Sequence, residues 1–549
     1  MSDPAMMRQQ LRADLEAIDR LSEEAKAAER EELRARIALD DAAAAYSRVH
    51  LRVQDLHFRR SSLCQSVDAT MRALNTLATF PAELLSHIFV YATGPSAGDD
   101  WRTVVDAEGP SCCIVDTSRA AIPWRLGAVC NHWRAVMLST AAAWSYIGIA
   151  FAVEDDATAM NSRSKARALA AAERSRCALL DVVLESPDSL DSMDPDFNDE
   201  AQDLLEREHL FFDGIFEFLH VAMTRVRSLR ASVRHRVPQA IATPWFSPTR
   251  EKLLSLLRTP AEHLVDLRVS LLMSGGEDSL PENKYWHSFP ATPMPLFLPV
   301  APKLQYLELR HIPVVCRQPH PGLPSLERIS LARPHMYVTH LHEMLSLAPS
   351  LQHVRLNVRT ALHLAAASTV SPLPARTVTT LHLSAGESFN VLEDGARLFP
   401  NLSELHIANL ADLSISESLA QRLTTLRLWG RLNVHDDVET LRQLKSIEHA
   451  AFRGGTMHDD LFFEPFCATE DPMWPQLKTL EFTCVNLLSV ECDGLLRLVR
   501  ARNSGRTQET PASSPPCPLE HVSFDALSIP AWVAVQIRAI LPIRDPLPG

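Results

Sequence analysis

A chain of 549 residues, 46% of them hydrophobic, can bury a sizeable core, and its length corresponds to roughly three or four structural units. The 54 Lys and Arg against 67 Asp and Glu leave a formal net charge of −13. That balance argues against duplex nucleic acid as a partner, since neutralising phosphate needs a basic face, though it leaves room for a local basic patch. The ten cysteines include no C-x-x-C pair and no matching His spacing. Neither a disulfide framework nor a structural zinc site is signalled, and a reducing compartment is the default. The opening residues, MSDPAMMRQQ, lack the apolar stretch of a signal peptide, and their acidic neighbourhood argues against a transit peptide.

Residues 5 to about 60 are rich in Ala, Arg, Glu and Leu with no proline after Pro4, which predicts helix. Leu11, Leu15 and Ile18 start like a coiled-coil seam, but Ser22, Ala25 and Glu29 take its next positions. Val49, Val53 and Leu56 resume helical spacing further on. Two readings stay open: a solvated or hairpin helix, which the faltering seam favours, and self-association through residues 5–60. The segment 1–75 is therefore expected to be helical, with a weak coiled-coil character.

Residues 80–89 read FPAELLSHIF and residues 129–134 read VCNHWR, with Trp144 downstream. Pro81 suits the first turn of a helix, and Leu84, Leu85, Ile88 and Phe89 then fall on one stripe. Between the two halves, residues 94–122 form a polar insertion, expected as a loop, with the pair Cys112 and Cys113. The uncharged run Ala135 to Val153 is long enough to suggest a membrane span, but it is alanine-rich, holds Ser139, Thr140, Ser145 and Gly148, and begins as the continuation of a helix. No membrane span is expected. In residues 151–225 a helical stretch leads to Leu180, Val182 and Leu184 alternating like a strand, and an acidic segment from Ser186 to about Glu208 reads as a linker.

From about residue 226 the formula L-x-x-L-x-L recurs with substitutions, most clearly at Leu304, Leu326, Leu351, Val378, Leu402 and Leu423, at intervals of 21 to 27 residues. A period of that length is the signature of a solenoid. In each copy the last two apolar residues enter the core together, because alternate residues of a strand point to opposite faces.

The two fragments at 80–89 and 129–134 resemble the F-box, and the repeats resemble leucine-rich repeats; the combination is a familiar architecture. Phe80 stands where the F-box family usually has leucine, and the insertion of residues 94–122 departs from its pattern. The resemblance implies an α/β protein with an N-terminal helical segment, a three-helix F-box over 76–150, a helix-strand connector over 151–225, and an irregular leucine-rich-repeat solenoid over 226–549. It also implies a substrate receptor that docks on the Skp-type adaptor of a cullin-RING (SCF-type) ubiquitin ligase and so belongs to the ubiquitin conjugation pathway. Phe80, Pro81, Leu84, Ile88, Phe89, Val129, Cys130 and Trp133 would make the adaptor contact, with Trp144 in the module's own core. The seven lysines would offer such a ligase few sites on its own receptor. The repeats lack the family's Asn or Cys eight residues after the first leucine; Ile312, Pro334, Arg359, Gly386, Leu410 and Arg431 stand there, so the side-chain ladder is absent and the solenoid is expected to be irregular.

No P-loop, H-E-x-x-H, G-x-S-x-G or kinase signature is present, and His335, His340 and His342 lack a metal-binding pattern. No catalytic residue, metal or cofactor is expected, and the chain is not expected to be an enzyme. Alternation places Tyr306, Glu308, Arg310, His353, Arg355, His382, His406, Arg427 and Trp429 on the strand face away from the core. Tyr306, Arg310, Arg355, His382, His406, Arg427 and Trp429 are the candidate substrate contacts, since Trp, Tyr and Arg dominate interface energetics. The competing reading is a polar sheet face covered by its own loops. A protein substrate, no nucleic acid, no membrane and a cytoplasmic or nuclear location complete the expectation. The alternative function is an interaction scaffold that uses the same surfaces without a ligase.

Overall fold

The computed structural model describes residues 4–74, 80–95, 114–152, 157–186, 199–236, 248–274, 297–310, 312, 320–332, 338–357, 374–384, 395–408, 415–429, 434–454, 456–457, 462–468, 471–487, 493–503, 516–525 and 529–541. The chain divides into two compact units, Met1–Leu85 and Ser86–Gly549. Most of the first is a single helix, α1 (Pro4–Leu74), 71 residues long. Its described side chains are exposed throughout except for a half-buried Ala17. The hairpin alternative for this segment is excluded, because the helix runs without a break.

The second unit is built on a sheet of thirteen strands, all parallel and in chain order. The strands are β1 (Tyr146–Ala150), β2 (Leu180–Glu185), β3 (Val226–Arg236), β4 (Asp266–Ser274), β5 (Tyr306–Arg310), β6 (Arg328–Ala332), β7 (His353–Asn357), β8 (Thr380–Ser384), β9 (Glu404–Ile407), β10 (Thr425–Trp429), β11 (His449–Arg453), β13 (Thr479–Thr483) and β15 (His521–Phe524). Two short strands, β12 (Thr456–Met457) and β14 (Asn486–Leu487), pair separately. The strands of the sheet follow one another in chain order, skipping only β12 and β14, which is the topology of a repetitive α/β solenoid and resembles leucine-rich-repeat folds.

The sheet begins earlier than the repeat formula predicts. β1 and β2 already belong to it, so the parallel sheet starts at Tyr146, ahead of the first repeat expected near residue 226. Leu180, Val182 and Leu184 enter the same core cluster as the later leucines; Leu179, three positions before Val182, completes the formula in sequence but is 36% exposed. The expected acidic linker is likewise shorter: residues from Asp199 onward form the helix Asp199–Ala222, whose Phe212, Ile215, Phe216 and Leu219 are buried.

Stacking aligns the apolar positions into rows. Leu307, Ile329, Val354, Leu381, Leu405 and Leu426 are register partners across successive strands, and so are Leu309, Leu331, Leu356, Leu383, Ile407 and Leu428. All of them are buried. The first apolar residue of each clear copy is buried too, and in most copies it sits in a turn where its amide bonds the carbonyl of an apolar residue three positions earlier: Leu304 to Ala301, Leu326 to Leu323, Leu402 to Phe399 and Leu477 to Trp474.

Rung-to-rung register comes from the backbone. The residue just before each strand donates its amide to the carbonyl of its counterpart one rung earlier: Gln305 to Val265 (2.9 Å), Glu327 to Gln305 (2.9 Å), Gln352 to Glu327 (2.8 Å), Thr379 to Gln352 (3.0 Å), Ser403 to Thr379 (3.0 Å), Thr424 to Ser403 (2.9 Å) and Glu448 to Thr424 (2.8 Å). This ladder uses no side chain, so the missing asparagines do not disturb it. Of the six positions eight residues after the first leucines, Ile312 is buried and the other five lie outside the described residues.

Residues 76–150 do not form a distinct three-helix module. Helices α2 (Ala82–Thr93), α3 (Thr117–Gly127) and α4 (Asn131–Ser139) are present, but the boundary between the compact units falls inside α2. α3 and α4 are committed to the first edge of the sheet. Trp124 meets Trp144 edge-on at 5.0 Å, the Trp144 Nε1 donates to the Met137 carbonyl at 2.8 Å, and Val115 packs with Tyr146 of β1 and Val183 of β2. The end of the insertion is helix and not loop: Asp116 caps α3 by accepting from the Arg119 amide at 2.9 Å. Cys112 and Cys113 lie outside the described residues. The uncharged run from Ala135 is divided among α4, a 3-10 turn and β1, and among the described residues no helix is long and apolar enough to cross a membrane.

Candidate interaction surface

With Leu, Ile and Val filling one face of the sheet, the alternate residues form rows on the other. The middle row runs Arg230, Arg268, Glu308, Ser330, Arg355, His382, His406, Arg427 from β3 to β10. Beside it runs Asp266, Tyr306, Arg328, His353, Thr380, Glu404, Thr425. Arg310 on β5, Trp429 on β10 and Arg453 on β11 lie on the third row. Between β3 and β11 the described face thus carries seven arginines (230, 268, 310, 328, 355, 427, 453) against three carboxylates (Asp266, Glu308, Glu404). A protein of net charge −13 concentrates cations here, because parallel strands in register place every repeat's second variable position in one line.

Two clusters organise the face. At β3–β5, Asp266 receives Arg268 at 3.0 Å and Arg230 at 3.1 Å, and the Arg268 guanidinium lies 4.9 Å from the centre of the Tyr306 ring. The Tyr306 hydroxyl donates to Glu308 at 3.1 Å. Burial pushes the Tyr306 phenol and the Glu308 carboxyl up, with their mutual repulsion adding to the Tyr306 shift. Both therefore hold their protons more tightly than in water.

At β8–β10, the rings of His382 and His406 lie 3.6 Å apart, and Trp429 meets them at 5.4 and 5.2 Å. Glu404 is bonded to His406 Nε2 (2.7 Å), Arg427 Nε (3.2 Å) and the Thr380 hydroxyl (3.2 Å). Burial alone would raise the Glu404 pKa, but these bonds and the neighbouring positive charge outweigh it and hold the carboxylate ionised below its ordinary range. His382 moves in the opposite sense. Burial, followed by the positive charges of His406, Arg355 and Arg427, pushes its pKa down to about 2, so it is neutral.

All seven candidate substrate contacts fall on this one face. His382 and His406, however, are only 7% and 2% exposed, because each is covered by the other and by Trp429. They form the floor of the patch. Arg355, Arg427, Trp429, Tyr306 and Arg310 are half-buried and keep accessible edges. Glu404 was not among the candidates, nor were Arg230, Arg268, Asp266 and Arg328. Glu404 and Arg328 occupy the variable position before the second leucine, which the sequence marks as surface but cannot rank. Arg230, Arg268 and Asp266 stand on weak copies of the formula.

A second set of exposed apolar groups lies on α2 and before α4. Leu84 (50%), Ile88 (46%) and Val129 (58%) are exposed, Pro81 is exposed, and Phe80, Cys130 and Trp133 are half-buried. Phe89 is fully buried against the ring of Trp133 at 5.2 Å, which makes it a support and not a contact. Cys130 caps α4, its Sγ accepting from the Trp133 amide at 3.4 Å. Tyr91, 90% exposed, continues the Leu84–Ile88 stripe one turn further and was missed because its place in the motif carries no rule.

Among the described residues no group of His, Cys, Asp and Glu could hold a metal ion. His335 lies outside them, as do the side chains of His340 and His342.

No family model matches the chain, and no curated protein does. Among solved structures, an internalin of Listeria monocytogenes strain 4b F2365 aligns at 11% identity over 53% of this chain and 70% of its own, with a TM-score of 0.25. A TLR13–ssRNA13 complex aligns at 15% identity over 48% of this chain and 43% of its own, with a TM-score of 0.20.

Proposed function

We propose that this chain is an F-box-type substrate receptor of a cullin-RING ubiquitin ligase, binding a Skp-type adaptor through α2 and the Val129–Trp133 segment and holding a protein substrate on the second face of its sheet. The observation that carries the substrate half is the cationic, tryptophan-bearing patch over β5–β11. Its chemistry suits an extended acidic segment: carboxylates or phosphates against Arg355 and Arg427, and an apolar side chain against Trp429. The adaptor half rests on the motif resemblance, supported by exposed Leu84, Ile88 and Val129, apolar groups that a partner would cover with gain. Catalysis would belong to other subunits, and the chain's contribution is proximity. A cytoplasmic or nuclear location belongs to the same reading.

The test is retention of a Skp-type adaptor by the full chain and by Leu84→Ala/Ile88→Ala/Val129→Ala. These positions are exposed, so the variant keeps its fold. Adaptor bound by the native chain and lost in the variant is the expected result; native chain that retains no adaptor refutes the ligase reading. Co-purification of cullin with the adaptor separates a ligase subunit from a scaffold.

A further inference from the structure

Among the described residues nothing covers the apolar seam of the long helix α1. Met7, Leu11, Ile18, Leu21, Leu39, Tyr46, Val49, Val53, Leu56, Leu63 and Val67 are each 43–71% exposed. The seam expected from Leu11, Leu15 and Ile18 fails because it starts with a step of four. Starting with a step of three from Leu11 and alternating three and four gives positions 7, 11, 14, 18, 21 and so on to 70. Fifteen of these nineteen are apolar, the exceptions being Asp14, Glu32, Arg60 and Thr70. A heptad repeat held over a whole unbroken helix is the signature of a coiled coil.

We propose that α1 dimerises with α1 of a second copy of this chain as an antiparallel two-stranded coiled coil centred between Asp40 and Asp41. Two properties of the helix favour a second copy, and that orientation. First, its small seam residues match its own large ones end for end. With the partner reversed, Ala25 faces the partner's Leu56, Ala28 the partner's Val53, Ala35 the partner's Tyr46 and Ala42 the partner's Leu39, so a small residue meets a large one in four of the five central layers, the fifth setting Glu32 against the partner's Val49. Second, the flanking charges are self-complementary in the same register. Glu24 meets the partner's Arg59 and Glu31 the partner's Arg52, each twice by symmetry. Within one helix Arg59 already pairs with Asp55 at 2.9 Å, one turn back. A parallel pair would set Glu24 against the partner's Glu29 and Arg52 against the partner's His57, leaving Glu31 opposite the partner's Arg36 as the one favourable contact of these four charges. The polar seam positions Glu32 and Arg60 cost stability and narrow the choice of register.

The test is the solution mass of the full chain, by light scattering across micromolar concentrations, with charge variants. The native chain is expected at twice 61.1 kDa. Glu24→Arg/Glu31→Arg and Arg52→Glu/Arg59→Glu each turn all four contacts repulsive and are expected to weaken dimerisation at least about tenfold. Mixing the two variants, or combining all four changes in one chain, restores opposite charges and is expected to restore the dimer. That recovery distinguishes lost pairing from lost helix, which circular dichroism of each variant also reports. A native chain of 61.1 kDa at every concentration overturns the proposal. So does a dimer that the charge reversals leave unweakened, the result a parallel pair would give.

Discussion

His382 illustrates how the repeat imposes an environment on a residue whose own chemistry would place it in water. Its strand position lines it up with Arg355 and His406, and Trp429 closes over both imidazoles. The sign of the consequence follows from linkage. A histidine whose folded pKa is about 2 stays neutral while the unfolded chain takes up a proton below pH 6.5. The stability it contributes is therefore complete above pH 6.5 and is lost progressively as pH falls toward 2. His382→Gln is expected to flatten the decline of denaturation midpoint between pH 7 and 5, removing a slope that approaches about 1.4 kcal/mol per pH unit. Equal slopes in the two proteins would contradict a neutral His382. Glu404 works the other way at the same site: it is a buried-edge anion that keeps Arg427 and His406 in place. Its importance was hidden in the sequence, because one glutamate among 67 acidic residues has no local signal.

An element of the solenoid is one strand with its preceding turn, and it cannot stand alone. Leu426 on β10 touches the equivalent row on both sides, with Leu405 and Ala450 as register partners. Truncating it leaves a cavity that rigid neighbours on a hydrogen-bonded ladder cannot collapse to fill. Leu426→Ala is expected to cost about 2–5 kcal/mol in denaturant unfolding, with neighbouring repeats losing amide protection. A loss under about 1 kcal/mol would show that the ladder is looser than its backbone bonds indicate. At this scale the formula was readable wherever leucine filled it. It was less readable at β1, where Trp144, Ile147 and Ile149 stand in the three apolar places, and at β2, where Leu179 precedes Val182 by three but its neighbour Leu180 takes the buried place. The helix α1 shows the same limit differently, since its helicity was plain from composition while its seam depended on choosing the first step of the heptad.

At the scale of the second unit, the sheet converts a period in sequence into a line of charge in space. Binding of an acidic peptide to the β5–β11 face is expected to weaken with ionic strength, and to fall about tenfold or more in Arg355→Glu/Arg427→Glu. Calorimetric titration at low and high salt checks both, and an affinity indifferent to salt would exclude a charge-led mode. The helices α3 and α4, by contrast, acquire their place from the first strand. Arg119 exemplifies this: it caps the end of α2 by donating to the Thr93 carbonyl at 2.9 Å, lies over the Tyr146 ring at 4.1 Å, and approaches Asp181 at 3.6 Å.

By itself the sequence determined the repeat, the two faces of its strands, the long N-terminal helix and the surface on which the candidate substrate contacts meet. Periodicity carries those, because a strand alternates and a helix turns at fixed intervals whatever surrounds them. Tertiary structure decided the rest: where the sheet starts, the backbone ladder that replaces an asparagine ladder, the burial of His382, His406 and Phe89, and the merging of α3 and α4 with the solenoid edge. Each of those depends on which side chain comes to lie against which from a distant segment, and no interval in the chain encodes that.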